Sequence, residues 1–86
     1  MSFISFKGEI ILNLKCAEDD VIQYHAYLEE GTISVCIQFN GEKTELFTIN
    51  SGEEFFSSFT SPGKGKVKII IKSEDKCKNG SFKFYI

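Results

Sequence analysis

An alternating segment over residues 31–49 constrains the fold of this chain more than any other feature of its sequence. Large apolar residues occupy every second position of its first half, with small or polar residues between them. A period of two places these apolar side chains on one face of a β-strand. Asn40 and Gly41 follow at once, and both tolerate the positive φ that a tight turn requires. The segment therefore predicts an antiparallel β-hairpin.

Three other stretches alternate in the same way, at residues 9–16, 66–72 and 82–86. Gly8 precedes the first of them and predicts a bulge or a bend between two short strand segments. Residues 21–28 fit either a strand or a short helix. A strand is favoured because the run is short and rich in Tyr and β-branched residues.

Turn signals separate these stretches. Breaks are predicted at residues 17–20, 29–31, 50–52 and 60–65, and a second hairpin-type turn at Asn79-Gly80. About seven short strands with regular turns are typical of a small sandwich or barrel. We therefore expect residues 1–86 to form one all-β domain, an antiparallel β-sandwich of jelly-roll or immunoglobulin-like type.

Charge and composition narrow the classes of partner. Ten Lys against twelve Asp and Glu give a net charge of −2, and Arg is absent. Arg supplies the usual bidentate recognition of phosphate and guanine, so we expect no nucleic-acid partner. Three cysteines cannot pair completely within one chain, which favours a reducing compartment and hence the cytoplasm; one disulfide with a free thiol is the alternative. The sequence also predicts no signal peptide and no membrane span.

The two segments GTISVCIQFNGEKTELFTI and GKGKVKIIIKSEDKCKNGSFKFYI together carry a resemblance to a known class of domain. They resemble the small jelly-roll or immunoglobulin-like modules of uncharacterised bacterial secreted proteins and lipoproteins. The resemblance covers residues 31–86. It implies a bacterial binding or accessory module rather than a catalyst.

Residues that could carry chemistry are few. His25 is the only histidine, and a catalytic or zinc site would need it to meet Cys16, Cys36 or Cys77. No two of these four residues share the short spacing of a zinc motif, so we expect a structural or exposed histidine and no metal or cofactor. Carboxylates cluster in the predicted turns. They indicate solvated turns, with a weak calcium site as the alternative.

Lysines line the outward face of the strand predicted over residues 66–72. A row of outward lysines is the usual protection of a sheet edge against aggregation. The alternative is contact with an acidic partner. The lysines in question are Lys64, Lys66, Lys68 and Lys72.

Aromatic residues give the strongest functional signal. Phe55 and Phe56 cannot both point inward from a regular strand, so we expect one or two aromatic rings on the surface. The alternative is that an irregular edge buries both rings. The candidate binding residues are Phe55, Phe56, Phe59, Tyr24 and Tyr85.

The sequence as a whole favours a non-enzymatic interaction module that binds another protein or a second copy of itself, with an edge strand available for strand addition. A carbohydrate-binding accessory module, with or without calcium, is the first alternative. A small Cys/His metal or catalytic site is the second.

Overall fold

The structure, a computed structural model, describes residues 1–86 and contains β-strands but no helix. The expected all-β class is confirmed. No helix is present that could cross a membrane. The six strands are β1 (Ser2–Cys16), β2 (Val21–Glu30), β3 (Thr32–Phe39), β4 (Glu42–Asn50), β5 (Glu53–Thr60) and β6 (Gly65–Tyr85).

The long strand β6 organises the sheet. All strand pairs are antiparallel. Along one edge β6 pairs with β1 over most of its length, and along the other edge it pairs first with β3 and then with β2. β4 extends the sheet beyond β3, and β5 extends it beyond β2. One strand thus contacts three of the other five.

The sheet bends across its strands at a single level. Residues 8–16 of β1 pair with residues 65–73 of β6, and residues 2–6 pair with residues 77–81, with a register shift between them. β2 meets β3 at Gly31 at the same level. We call the two parts the β3–β4 half and the β2–β5 half, and each also contains part of β1 and of β6. The register shift confirms the irregularity predicted at Gly8 as a bulge or a bend, although β1 continues through it as one strand.

The backbone geometry at this bend, the corner of the sheet, depends on Gly31. Gly31 adopts a φ of 116°, in the region that favours glycine, and joins β2 to β3 without reversing the chain. A Cβ on Gly31 would lie 2.5 Å from Cys77 Sγ. The corner of β6 therefore packs directly against the backbone of the β2–β3 connection.

The inner faces of the two halves close on one another and form the core. Phe82 and Leu28 from the β2–β5 half pack in one cluster with Ile33 and Ile69 from the β3–β4 half, and all four are fully buried. The rings of Tyr24 and Phe47 stack across the gap with centroids 5.0 Å apart. The result is a curled, half-barrel sheet.

The closed sandwich of about seven strands is not confirmed, because six strands form one continuous curled sheet. The predicted hairpin turn at Asn79-Gly80 is wrong. β6 runs through both residues. Asn79 does adopt a positive φ of 50°, as an Asn-Gly turn requires, but the chain does not reverse there. Gly80 packs under the ring of Phe3, which leaves no room for a Cβ. Cys77, two residues before Asn79, is fully buried in β6.

The lysine row does not protect an edge. Lys66, Lys68 and Lys72 lie on β6, which has hydrogen-bonded neighbours on both sides. The edges of the sheet are β1 on one side and β4 with β5 on the other. The interpretation as edge protection is therefore wrong, and contact with an acidic partner stays a prediction.

Ser73→Ala is expected to lower the free energy of unfolding by about 1–2 kcal/mol, because a buried hydrogen bond is lost. Ser73 Oγ lies 2.9 Å from the carbonyl oxygen of Thr32 and 2.6 Å from that of Asp75, and its single O–H proton is shared between these two acceptors. Urea denaturation measures the loss. Ser58→Ala is the control, since Ser58 is exposed. Equal stability of the two variants would contradict the role of Ser73.

Candidate interaction surface

The five aromatic residues predicted as a binding set lie on both sides of the sheet. Tyr24 is buried, and its ring lies 5.8 Å from that of Phe84 and 6.3 Å from that of Phe59. Phe55 is half-buried, with its ring in an edge-on contact with Phe47. Tyr24, Phe55 and Phe59 therefore belong to the inner face.

Phe56 and Tyr85 lie on the outer face of the β2–β5 half. The side chain of Phe56 is 73% exposed and that of Tyr85 is 43% exposed. Alternation along β5 turns Phe56 outward because its neighbour Phe55 points inward. The expectation that Phe55 and Phe56 do not both point inward is confirmed.

The ring of His25 stacks on Phe56, with centroids 4.0 Å apart and planes inclined by 6°. The two residues are directly opposite in the β2–β5 ladder. His25 Nε2 lies 2.8 Å from Glu54 Oε2, which holds the imidazole flat against the phenyl ring. Tyr27 and Val21 are exposed on the same face of β2. We call the five apolar and aromatic residues of this face the aromatic outer patch: Val21, His25, Tyr27, Phe56 and Tyr85.

A shallow depression of about 380 Å³ lies within this patch, between the rings of Phe56 and Tyr85. Gln23 and Ser58 contribute polar groups to its lining and are opposite each other in the ladder. Lys83 lies beside it, with its Nζ 5.4 Å from the centre of the Tyr85 ring. Aromatic rings surrounded by polar and charged side chains are the arrangement found at protein interfaces.

The histidine and the cysteines do not come together. Cys77 and Cys16 are buried in the core, and Cys36 lies on the β3–β4 half. None of the three thiols hydrogen-bonds to His25, whose partners are Glu54 and Phe56. The structure contains no group of three or more His, Cys, Asp or Glu side chains that could hold a metal ion.

Sequence reasoning did not include three members of the patch among the binding residues. Val21, His25 and Tyr27 share one face of β2 by simple alternation, so a strand assignment already groups them. Their exposure is indicated by the opposite face of β2, because Ile22, Ala26 and Leu28 on that face are apolar and become buried. Which partner strand lies beside them is a tertiary feature that alternation does not contain.

Phe55→Ala is expected to lower the free energy of unfolding by about 2–3 kcal/mol, because Phe55 packs against the core cluster. The neighbouring Phe56→Ala is expected to change it by about 1 kcal/mol or less, since that ring is exposed and loses mainly its stacking on His25. Urea denaturation of both variants measures the difference. A larger loss for Phe56→Ala than for Phe55→Ala would show that the Phe56 ring stabilises the fold more than the half-buried Phe55 ring does.

Comparison with protein-family models, with curated proteins and with solved structures finds no match to this chain.

Proposed function

We propose that this protein is a non-enzymatic interaction module whose aromatic outer patch binds a protein partner. The observation that carries the proposal is the 73% exposure of Phe56 on a face where His25, Tyr27 and Tyr85 also lie. Exposed rings that lie together on a rigid sheet supply large contact areas and lose little side-chain entropy on binding. The relation to jelly-roll or immunoglobulin-like modules stays a prediction.

The charge distribution around the patch favours a partner of mixed character. Glu54 and Lys83 lie on either side of His25, one on each neighbouring strand. A partner that places an apolar side chain over Phe56 can therefore also pair its own charges with both signs at the rim. Such a rim contributes specificity more than affinity.

Selection of peptides from a random library displayed on phage tests the proposal. We expect the protein to select peptides with aromatic or apolar anchors, and Phe56→Ala combined with Tyr85→Ala to abolish their binding. Lys68→Ala, on the outer face of the β3–β4 half, is the matched control and should bind the peptides like the parent chain. Selected peptides that bind the double variant equally well, or no selected peptide at all, would contradict the proposal.

Carbohydrate binding is the second candidate, favoured by the depression between Phe56 and Tyr85. Sugar rings stack on aromatic faces, and the Gln23 and Ser58 side chains beside them can hydrogen-bond to hydroxyl groups. A glycan array probed with the parent chain and with the same double variant decides this case. Glycan signals that the double variant lacks would favour it, and no signal on any glycan would exclude it.

A further inference from the structure

The outer edge of β1 is unpaired over its whole length. β1 spans 15 residues and hydrogen-bonds only to β6, so the other edge of its backbone has no neighbouring strand. Ile4 is 83% exposed and Ile11 is 48% exposed on this strand. Long apolar edges pair with further strands unless charges, prolines or bulges prevent it. β1 contains no proline, and its register shift lies between Phe6 and Gly8. Its only charged residues are Lys7, Glu9 and Lys15.

Residues 8–16 of β1 form the open edge of the β3–β4 half. Ile10, Leu12 and Leu14 point toward the core but are only half-buried. Ile69 and Ile71, opposite them on β6, are fully buried. The inner face is therefore closed at β6 and uncovered at β1, which leaves apolar side chains at an edge that can accept another strand.

One negative and one positive side chain on this edge lie at equal distances from Leu12. Glu9 lies three residues before Leu12, and Lys15 lies three residues after it. If two copies of β1 pair antiparallel about a two-fold axis at Leu12, Glu9 of each copy is directly opposite Lys15 of the other. Ile10 is then opposite Leu14, and Leu12 opposite itself, so inward residues meet inward residues. Opposite charges in such cross-strand positions are attractive.

A like-charge contact within the chain points to the same partner. Lys15 is directly opposite Lys66 in the β1–β6 ladder, and neither lysine has an ion pair. Like charges in this position are destabilising. Glu9 of a second copy would reach Lys15 from the open side and offset this repulsion.

We infer that two copies of this chain associate through antiparallel pairing of their β1 strands about Leu12. Four strands from each copy, in the order β4-β3-β6-β1, then form one continuous sheet. Pairing satisfies the open backbone groups of β1 and covers its apolar residues, while the aromatic outer patch on the β2–β5 half stays free. The inference goes beyond the proposed function because it uses a different surface.

Charge reversal at the edge tests the pairing. Light scattering on a sizing column, over micromolar to millimolar concentrations with reductant present, should give twice the chain mass of 9.7 kDa at the upper end. We expect Glu9→Lys and Lys15→Glu to weaken the dimer by about tenfold or more each, because each variant places like charges in both two-fold-related contacts. The double variant restores opposite charges and should recover the dimer.

Two controls separate pairing from folding. Glu9→Lys faces Lys72 within the chain and lowers its stability, whereas Lys15→Glu faces Lys66 and raises it. Loss of the dimer in both variants is therefore not explained by fold stability. Lys68→Glu makes the same charge change on the central strand, opposite the uncharged Asn13 and Gln38, and should leave the dimer intact.

A chain that stays monomeric throughout the concentration range would overturn the inference. A dimer that is insensitive to both Glu9→Lys and Lys15→Glu, or a double variant that stays monomeric, would also overturn it. Combining Phe56→Ala with Tyr85→Ala is expected to leave the dimer unchanged. Failure of the pairing and failure of the aromatic outer patch as a binding surface are therefore distinguishable.

Discussion

Gly31→Ala is expected to lower the free energy of unfolding by about 3 kcal/mol or more, from backbone strain and steric overlap together. The φ of 116° disfavours any residue with a side chain. The new Cβ would also lie 2.5 Å from Cys77 Sγ and 3.1 Å from Cys77 Cα. The second contact involves backbone, so a change of side-chain rotamer does not relieve it. Urea denaturation followed by circular dichroism measures the loss.

Gly8→Ala is the matched control for this substitution. Gly8 has nearly the same φ, 114°, at the same level of the bend, but nothing lies within 4 Å of its Cβ position. Its loss therefore reports the strain alone, and the difference between the two variants reports the contact with Cys77. Equal losses would contradict the close packing of β6 on the β2–β3 connection.

Phe82→Ala is expected to lower the free energy of unfolding by about 3–5 kcal/mol, because it removes a fully buried aromatic ring from the main core cluster. The ring lies 6.3 Å from that of Phe3 and 6.5 Å from that of Phe47, in edge-on contacts. Phe82 and Phe47 come from different halves of the sheet, so the cavity would open where the halves meet. Equilibrium denaturation measures the effect.

Phe82→Leu keeps most of the buried volume and should lose clearly less stability than the alanine variant. It also keeps the prediction measurable if the alanine variant does not fold. A loss below about 1 kcal/mol for Phe82→Ala would show that the two halves do not close over this ring.

Alternation predicts most of the strands of this fold. The hairpin at Asn40-Gly41 is confirmed, with φ values of 51° and 80°, because a two-residue turn requires positive φ at both positions. The same two residue types at Asn79-Gly80 lie inside a strand. The residue types alone do not distinguish the turn at Asn40-Gly41 from the strand at Asn79-Gly80. The conformation at Gly80 depends on contact with the ring of Phe3, which is far away along the chain.

The direction of the chain at Gly31 is equally difficult to predict from the sequence. Gly31 is recognisable as a conformational break, but whether the chain reverses there or continues at an angle depends on β6, which pairs with both β2 and β3. Glycines and polar runs predict about seven short strands because such residues usually end a strand. Six strands form because two of these positions, Gly8 and the polar run 73–81, lie inside the longer strands β1 and β6.

For the candidate site, the sequence predicts that Phe55 and Phe56 point in opposite directions, but not which other residues share the surface with the exposed ring. Period-two alternation determines which residues share a face but not which face becomes covered. Tyr24 and Phe59 were grouped with Phe56 and Tyr85 by residue type alone. The curl of the sheet separates them, since it covers the Tyr24 ring with Phe47 from β4 and packs Phe59 against the cluster that contains Val67.

The whole sheet depends on β6 being one strand that runs through both of its halves. Backbone nuclear Overhauser effects in a uniformly labelled sample test this continuity most directly. We predict cross-strand contacts of Ile69 with both Leu12 and Ile37, of Ser81 with Ser2, and of Lys78 with Glu30. A hairpin at Asn79-Gly80, with contacts between Lys78 and Ser81, would contradict this continuity.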